Sequence, residues 1–290
     1  MGQKDEYHRL RYALWDDRFY HEKPYTIVSH LPQLDESRQA NIKFGEGPDE
    51  LITDVRGKEG EFSLDNNGFA FVSHAFPKFD PTDAESVEKN MYPVFEEFLK
   101  QHVQGVDRVH FFDYRVRSNQ SYPSVAMTEV PNRAVPLPPA KGVHIDQSPG
   151  GALKRVRAFM GDEAGFLLRG RTRIINIWFP YDYPIEDCPL ALCDGSTVQA
   201  KDLLIADHVT RTYVGETVYP MYNDQSRWYY LSEQTRDEVL LFKIFDSDEA
   251  VPARYVPHTS FELNTSASEA RPRKSFEIRA MVFTHPKDEG

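Results

Sequence analysis

The chain of 290 residues reads as a mainly β protein with a few flanking helices, arranged as an antiparallel barrel or sandwich. Two observations predict this. From "DRVHFFDYRVR" onward the sequence is a succession of short runs rich in β-branched and aromatic residues, separated by turn clusters: "RTRIINIWFPY", "DLLIADHV", "RWYYL", "EVLLFKIFDS", "RYVPHTSFEL" and "KSFEIRAMVFTH". Between them lie too few helical segments to supply the crossovers that a parallel sheet requires.

Taken in order, residues 1–47 are polar and aromatic without clear periodicity and are expected to form an arm over the domain. Residues 48–107 should form a hairpin and helical flank. Here "EFSLDNNGFAFVSH" places alternating apolar positions on both sides of an Asn-Asn-Gly turn signal, which predicts a hairpin. "DPTDAESVEKNMYPVFEEFLKQHVQGV" predicts a helix capped by Asp or Thr, with Val87, Met91, Val94, Phe95 and Phe98 along one side. Pro93 sits within it and should kink or divide it. Residues 108–290 supply the barrel core. With no internal repeat, low-complexity tract or linker, 1–290 reads as one domain.

Charge and cysteine usage narrow the function classes. The balance of 34 Lys+Arg against 45 Asp+Glu leaves a net charge of -11, which disfavours nucleic acid and anionic membrane as partners. Cys188 and Cys193 are too few for a disulfide framework or a zinc-binding cysteine set, and fit two free thiols in a reducing compartment. No apolar stretch reaches membrane-spanning length and "MGQKDEYHRL" is too polar for a secretory signal, so a soluble, cytoplasmic protein is expected. The expected partner is a small-molecule substrate, with a homodimer as the open question of assembly.

The segment "PAKGVHIDQSPGGALKR" carries the first sign of chemistry. His144 and Asp146 are two apart, and in an extended strand side chains at i and i+2 leave on one face, so an imidazole and a carboxylate share one space. A mononuclear iron site of the two-histidine, one-carboxylate type needs one further histidine from a distant strand. His258 in "ARYVPHTSFEL" fits that role best, with His208 in "LLIADHVTR" as its competitor. The last strand adds a second sign. Arg273, Ser275, Glu277 and Arg279 alternate and so face one side; a guanidinium fork plus a hydroxyl two residues on is suited to gripping a carboxylate. Iron ligands together with such a grip describe a 2-oxoglutarate site.

"DSDEAVPARYVPHTSFEL", "RPRKSFEIRAMVF", "RIINIWFPYDYPIEDCPLALCD", "RWYYL", "DEVLLFKIFDS" and "GVHIDQSPGGALKR" resemble the CmcJ/AsaB-like hydroxylase/desaturase family of secondary metabolism. The similarity extends upstream through "FSLDNNGFAFVSH" and "YPVFEEFLKQHVQGVDRVHFFDYRVR". The resemblance implies a double-stranded β-helix (jelly-roll, cupin-like) fold and an Fe(II)- and 2-oxoglutarate-dependent oxygenase. Such an enzyme uses O2 to hydroxylate or desaturate a small natural-product intermediate. It also implies His144, Asp146 and His258 as metal ligands, and Arg273 with Ser275, or Arg279, as the co-substrate clamp. Asn176, Trp178, Arg227, Trp228, Tyr229 and Lys243 match family positions without assigned roles and, with Phe179, are taken as the substrate pocket. Three departures stand out: Phe179 replaces a usual arginine, Gln225 and Ser226 lie where a histidine is common, and Tyr114 lies where another is frequent. They imply a more apolar pocket. Two rival classes share the fold: a cupin-type iron oxygenase that needs no 2-oxoglutarate, and a non-catalytic binding relative.

Overall fold

Alternation along the apolar runs decides which side of each strand meets which layer. A computed structural model describes residues 4–27, 38–120, 133, 135–210, 213–264 and 270–287. In chain order, β1 (Glu6–Leu14), β2 (Tyr25–Ile27), β3 (Lys43–Asp54) and β4 (Phe69–Ser73) precede a helical segment of α1 (Ala84–Ser86), a π-turn over Val87–Met91 and α2 (Tyr92–His102). Then come β5 (Arg108–Ser118), α3 (Pro149–Met160), α4 (Ala164–Leu167), β6 (Arg171–Pro180), β7 (Leu190–Cys193), β8 (Leu203–Val209) and β9 (Val214–Pro220). The chain finishes with β10 (Trp228–Tyr230), β11 (Glu238–Asp246), β12 (His258–Ser260) and β13 (Lys274–Thr284).

Among the described residues the strands form three sheets, ordered β1-β3-β10-β7-β12, β4-β11-β6-β13-β5 and β2-β8-β9. One core lies between them, since Trp178, Phe242 and Met281 of the second sheet share a cluster with Leu192 of the first and Val218 of the third. A second core lies on the other face of the second sheet, where Ile177, Phe179, Phe276 and Ile278 meet Phe95, Phe98 and Leu99 of α2. Both faces of β6 and β13 are therefore covered, which is why "RIINIWFP" reads as a nearly unbroken apolar run.

Three expectations bear on the outer elements, and two need correction. The supposed arm is sheet: β1 pairs antiparallel with β3 from Glu6 opposite Ile52 to Leu14 opposite Lys43. A register shift between Arg9 and Arg11 hides the period-2 signal in the sequence, because a bulge inverts the facing of everything beyond it. The Asn-Asn-Gly segment is not a hairpin. Its first half forms turns in which the Ser63 carbonyl accepts from the amides of Asn67 and Gly68, and only β4 is a strand, paired with β11 instead. Gly68, at φ 86, supplies the left-handed turn that releases the chain into β4. Pro93 divides the helix as expected: it stands at the start of α2, where its missing N–H costs nothing, and the π-turn absorbs the join.

Phe179 is fully buried among Phe76, Phe79, Phe95 and Phe276, with ring centroids 5.0 to 6.3 Å away. Phe179→Ala is expected to destabilise the fold by about 3–5 kcal/mol, the range for deleting a packed aromatic ring. Denaturant unfolding measures this, and 2-oxoglutarate binding by the folded fraction should not change.

Candidate metal centre

The His-x-Asp segment is an extended stitch held by two isolated bridges. His144 pairs with His258, and Ile145 with Val218 of β9. The first bridge is a doubly hydrogen-bonded antiparallel pair: the His144 amide donates to the His258 carbonyl (3.1 Å) and the His258 amide to that of His144 (2.9 Å). That exchange brings two imidazoles from distant parts of the chain to a centroid separation of 4.3 Å. Ser148 then caps α3, accepting from the Gly151 amide (2.9 Å) and donating to Glu216. A side chain at Gly151 would stand 3.3 Å from the Glu216 carbonyl oxygen, so the Pro-Gly-Gly sequence lets the helix start against β9.

Donor atoms of His144, Asp146 and His258 all lie within 4.8 Å of one another. Each imidazole is oriented from behind, its Nδ1 facing a backbone carbonyl: Gly142 for His144 (2.8 Å) and Val256 for His258 (3.0 Å). A carbonyl only accepts, so each Nδ1 carries the proton and each Nε2 is left as a lone-pair donor aimed inward. Burial and the neighbouring His258 push the His144 pKa down to about 4, so the ring is neutral at neutral pH. Burial lowers that of His258 as well. His144 Nε2 then faces Asp146 Oδ1 at 3.7 Å, two electron-rich atoms that a cation between them would reconcile. Burial alone would raise the Asp146 pKa, but Arg279, both imidazoles and a hydrogen bond from Asn176 outweigh it and hold the carboxyl well below the usual range. The donor set fits Fe(II) with positions left open on the other side.

The register of β5, β13 and β6 places a charged lattice on the same inner face. Ser275, Glu277 and Arg279 stand opposite Arg117, Arg115 and Asp113 of β5. Glu277 and Arg279 also stand opposite Trp178 and Asn176 of β6. Arg279 is fully engaged: it donates to Asp146 Oδ1 (3.0 Å), Glu277 (3.0 Å) and Asp113 (3.3 Å). Asn176 takes the other oxygen of Asp146 (2.9 Å). Arg273 differs. It is buried, its Nη1 reaches the Cys188 carbonyl (2.9 Å) and Ser260 Oγ (2.7 Å), and its Nε has no partner among the described residues. Burial pushes its pKa down to about 10, so the cation is held at a cost that an anion would relieve. Ser275 Oγ is likewise buried without a partner among the described residues. A cavity lined by Arg117, His144, Trp178, His258, Ser260 and Arg273 joins this corner to the imidazoles.

The other positions expected in the pocket are not gathered there. Phe179 and Tyr114 lie on the opposite face, in the helix-side core, so neither makes the pocket more apolar. The period of two already forbids Trp178 and Phe179 one shared side. Lys243 is buried but pairs with Asp246 (2.6 Å) and Asp65 (3.5 Å). Arg227 is exposed; Trp228 packs behind the first sheet and donates to Tyr12; Tyr229 meets Phe62 edge-on at 4.9 Å. Conversely, Arg117, Glu277 and Ser260 border the cavity although sequence reasoning did not single them out for it. The alternation Asp113, Arg115, Arg117 is the signal that could have found the first.

A family model described as an oxidoreductase/YMDC permease-like domain matches residues 10–283. Among the described residues, no helix is long and apolar enough to cross a membrane. The hydroxylase/desaturase poxK of Penicillium oxalicum is 32% identical over 276 residues, covering 84% of this chain and 81% of the relative. The Fe(II)/2-oxoglutarate-dependent dioxygenase nvfI of Aspergillus novofumigatus is 31% identical over 238 residues, covering 79% and 81%. A solved structure of the iron and alpha-ketoglutarate-dependent endoperoxidase NvfI superposes with a TM-score of 0.81 at 26% identity, covering 98% of each chain. The three sheets are thus a double-stranded β-helix, and the His-Asp-His cluster sits where its strands converge. With family, fold and donor set in agreement, the chain belongs to the hydroxylase/desaturase family of non-haem Fe(II)- and 2-oxoglutarate-dependent dioxygenases.

Proposed function

We propose that His144, Asp146 and His258 hold Fe(II), and that Arg273 with Ser275 receives the far carboxylate of 2-oxoglutarate. The observation that carries this reading is the pair of buried donors without partners among the described residues, Arg273 Nε and Ser275 Oγ, the first on the wall of a cavity that runs to the two imidazoles. Arg279 has a different role. Already met by three carboxylates, it orients Asp146, with Asn176 on the other oxygen. When bound, Fe(II) and 2-oxoglutarate supply O2 activation coupled to oxidation of a substrate C–H bond. The chain's own work is to orient the co-substrate, keep water from the buried site and fix which C–H bond is presented.

The substrate is a small natural-product intermediate, which the hydroxylase/desaturase and dioxygenase relatives support, and the match over residues 10–283 supports reading the chain as one oxygenase domain. Net charge of -11 and two buried free cysteines support a cytoplasmic enzyme without nucleic-acid or membrane partners. Incubation with Fe(II), 2-oxoglutarate and a candidate substrate should release succinate in step with oxygen consumed. Oxygen uptake without succinate would instead identify the cupin-type oxygenase.

A further inference from the structure

The chain is acidic overall, yet guanidinium groups crowd the metal centre. Most are accounted for. Arg279 meets Asp113, Asp146 and Glu277; Arg115 shares Asp113 at 3.1 Å; Arg133 reaches Glu88 at 2.8 Å and Asp113 at 3.6 Å. Arg117 donates to the Pro138 carbonyl at 2.8 Å and, like Arg273, lines the cavity assigned to the co-substrate.

Arg155 is different. Among the described residues it has no carboxylate within ion-pair distance and no hydrogen-bond acceptor, and its Nε is buried without a partner. Its guanidinium lies against two rings, 4.7 Å from the centroid of Phe112 and 5.5 Å from that of Tyr213. It sits on α3, the helix that starts immediately beyond the His-x-Asp segment, on the face that carries buried Ala152. Phe112, whose ring it covers, directly precedes Asp113, the carboxylate that Arg279 meets at 3.3 Å while holding Asp146 at 3.0 Å, although Arg155 is not part of the cavity that holds Arg273. His208 of β8 stands opposite Gly215, against which Tyr213 packs, and has a buried Nδ1 without a partner among the described residues. Phe159, one turn beyond Arg155, is half exposed and lies 6.1 Å from Phe112. A partly buried cation whose direct contacts are aromatic faces is costly unless an anion completes it.

We propose that Arg155 anchors an acidic group, a carboxylate, on the molecule to be oxidised, with Phe112, Phe159 and Tyr213 as the apolar wall beside it and His208 as a second polar contact. This rests on the Fe(II)/2-oxoglutarate reading and names its substrate class. The co-substrate would be taken by Arg273 and the substrate acid by Arg155, which lies outside the cavity that Arg273 lines.

Benzoate and its neutral isostere benzamide probe this directly. Thermal-shift titrations are run without oxygen on protein loaded with Fe(II) and saturating 2-oxoglutarate, so that Arg273 is already occupied. Benzoate should bind roughly tenfold more tightly than benzamide, the worth of one charge-assisted contact. Arg155→Gln should erase that preference and Arg155→Lys should keep part of it. Equal affinities for the two probes in the native protein, no binding of either, or a preference that survives Arg155→Gln would overturn the assignment. Stabilisation by 2-oxoglutarate, read in the same titrations, isolates the underlying reading: its absence from the native protein would reject that reading and not Arg155 alone.

Discussion

His144→Ala, Asp146→Ala and His258→Ala are each expected to lose near-stoichiometric Fe(II) and all turnover while keeping the native circular-dichroism spectrum. Loss of one of three protein donors removes much of the metal affinity, and neutral imidazoles with an ionised carboxylate are already the binding forms at neutral pH. The fold should survive because the backbone exchange between His144 and His258 involves no side chain. Metal analysis of purified variants checks this; native iron content in any of them would remove that residue from the centre.

Arg273→Ala should raise the KM for 2-oxoglutarate by roughly 10- to 100-fold, the worth of a charge-assisted hydrogen-bonded anchor. Iron content and the kcat at saturating co-substrate should change little. Arg279→Ala should behave in the opposite way. It removes the donor that orients Asp146 and leaves buried Glu277 without its ion-pair partner, so iron affinity should fall by roughly 10- to 100-fold. Paired iron titrations and steady-state kinetics separate the two variants. A raised KM confined to Arg279→Ala would exchange the roles proposed for these arginines.

Much of the scaffold was legible because its strands announce themselves: each of the six later runs contains a strand, and so does "DRVHFFDYRVR". Three of the strands that escaped notice did so for clear physical reasons. β1 carries a bulge that breaks its alternation, β7 is only four residues long, and β9 interrupts its few apolar residues with Gly215, Glu216 and Thr217 and ends on Pro220, which reads as a loop. The His-x-Asp pair was legible from spacing, whereas His258 could be preferred to His208 only from its place at the start of a late strand, because nothing local predicts the bridge that brings it to His144. Choosing between Arg273 and Arg279 was beyond alternation, since both share a face. The choice depends on which cation is already surrounded by carboxylates, a property of three strands in register.

That register has an implication for redesign. In β6 and β13, neighbouring residues answer to separate masters: Asn176, Trp178, Glu277 and Arg279 lie on the side of Asp146 and the cavity, while Ile177, Phe179, Phe276 and Ile278 grip the helix. Wall shape can therefore be altered along the inward rank while the helix-side packing stays in place, with Trp178, itself buried in the core between the sheets, a position where such a change also costs stability.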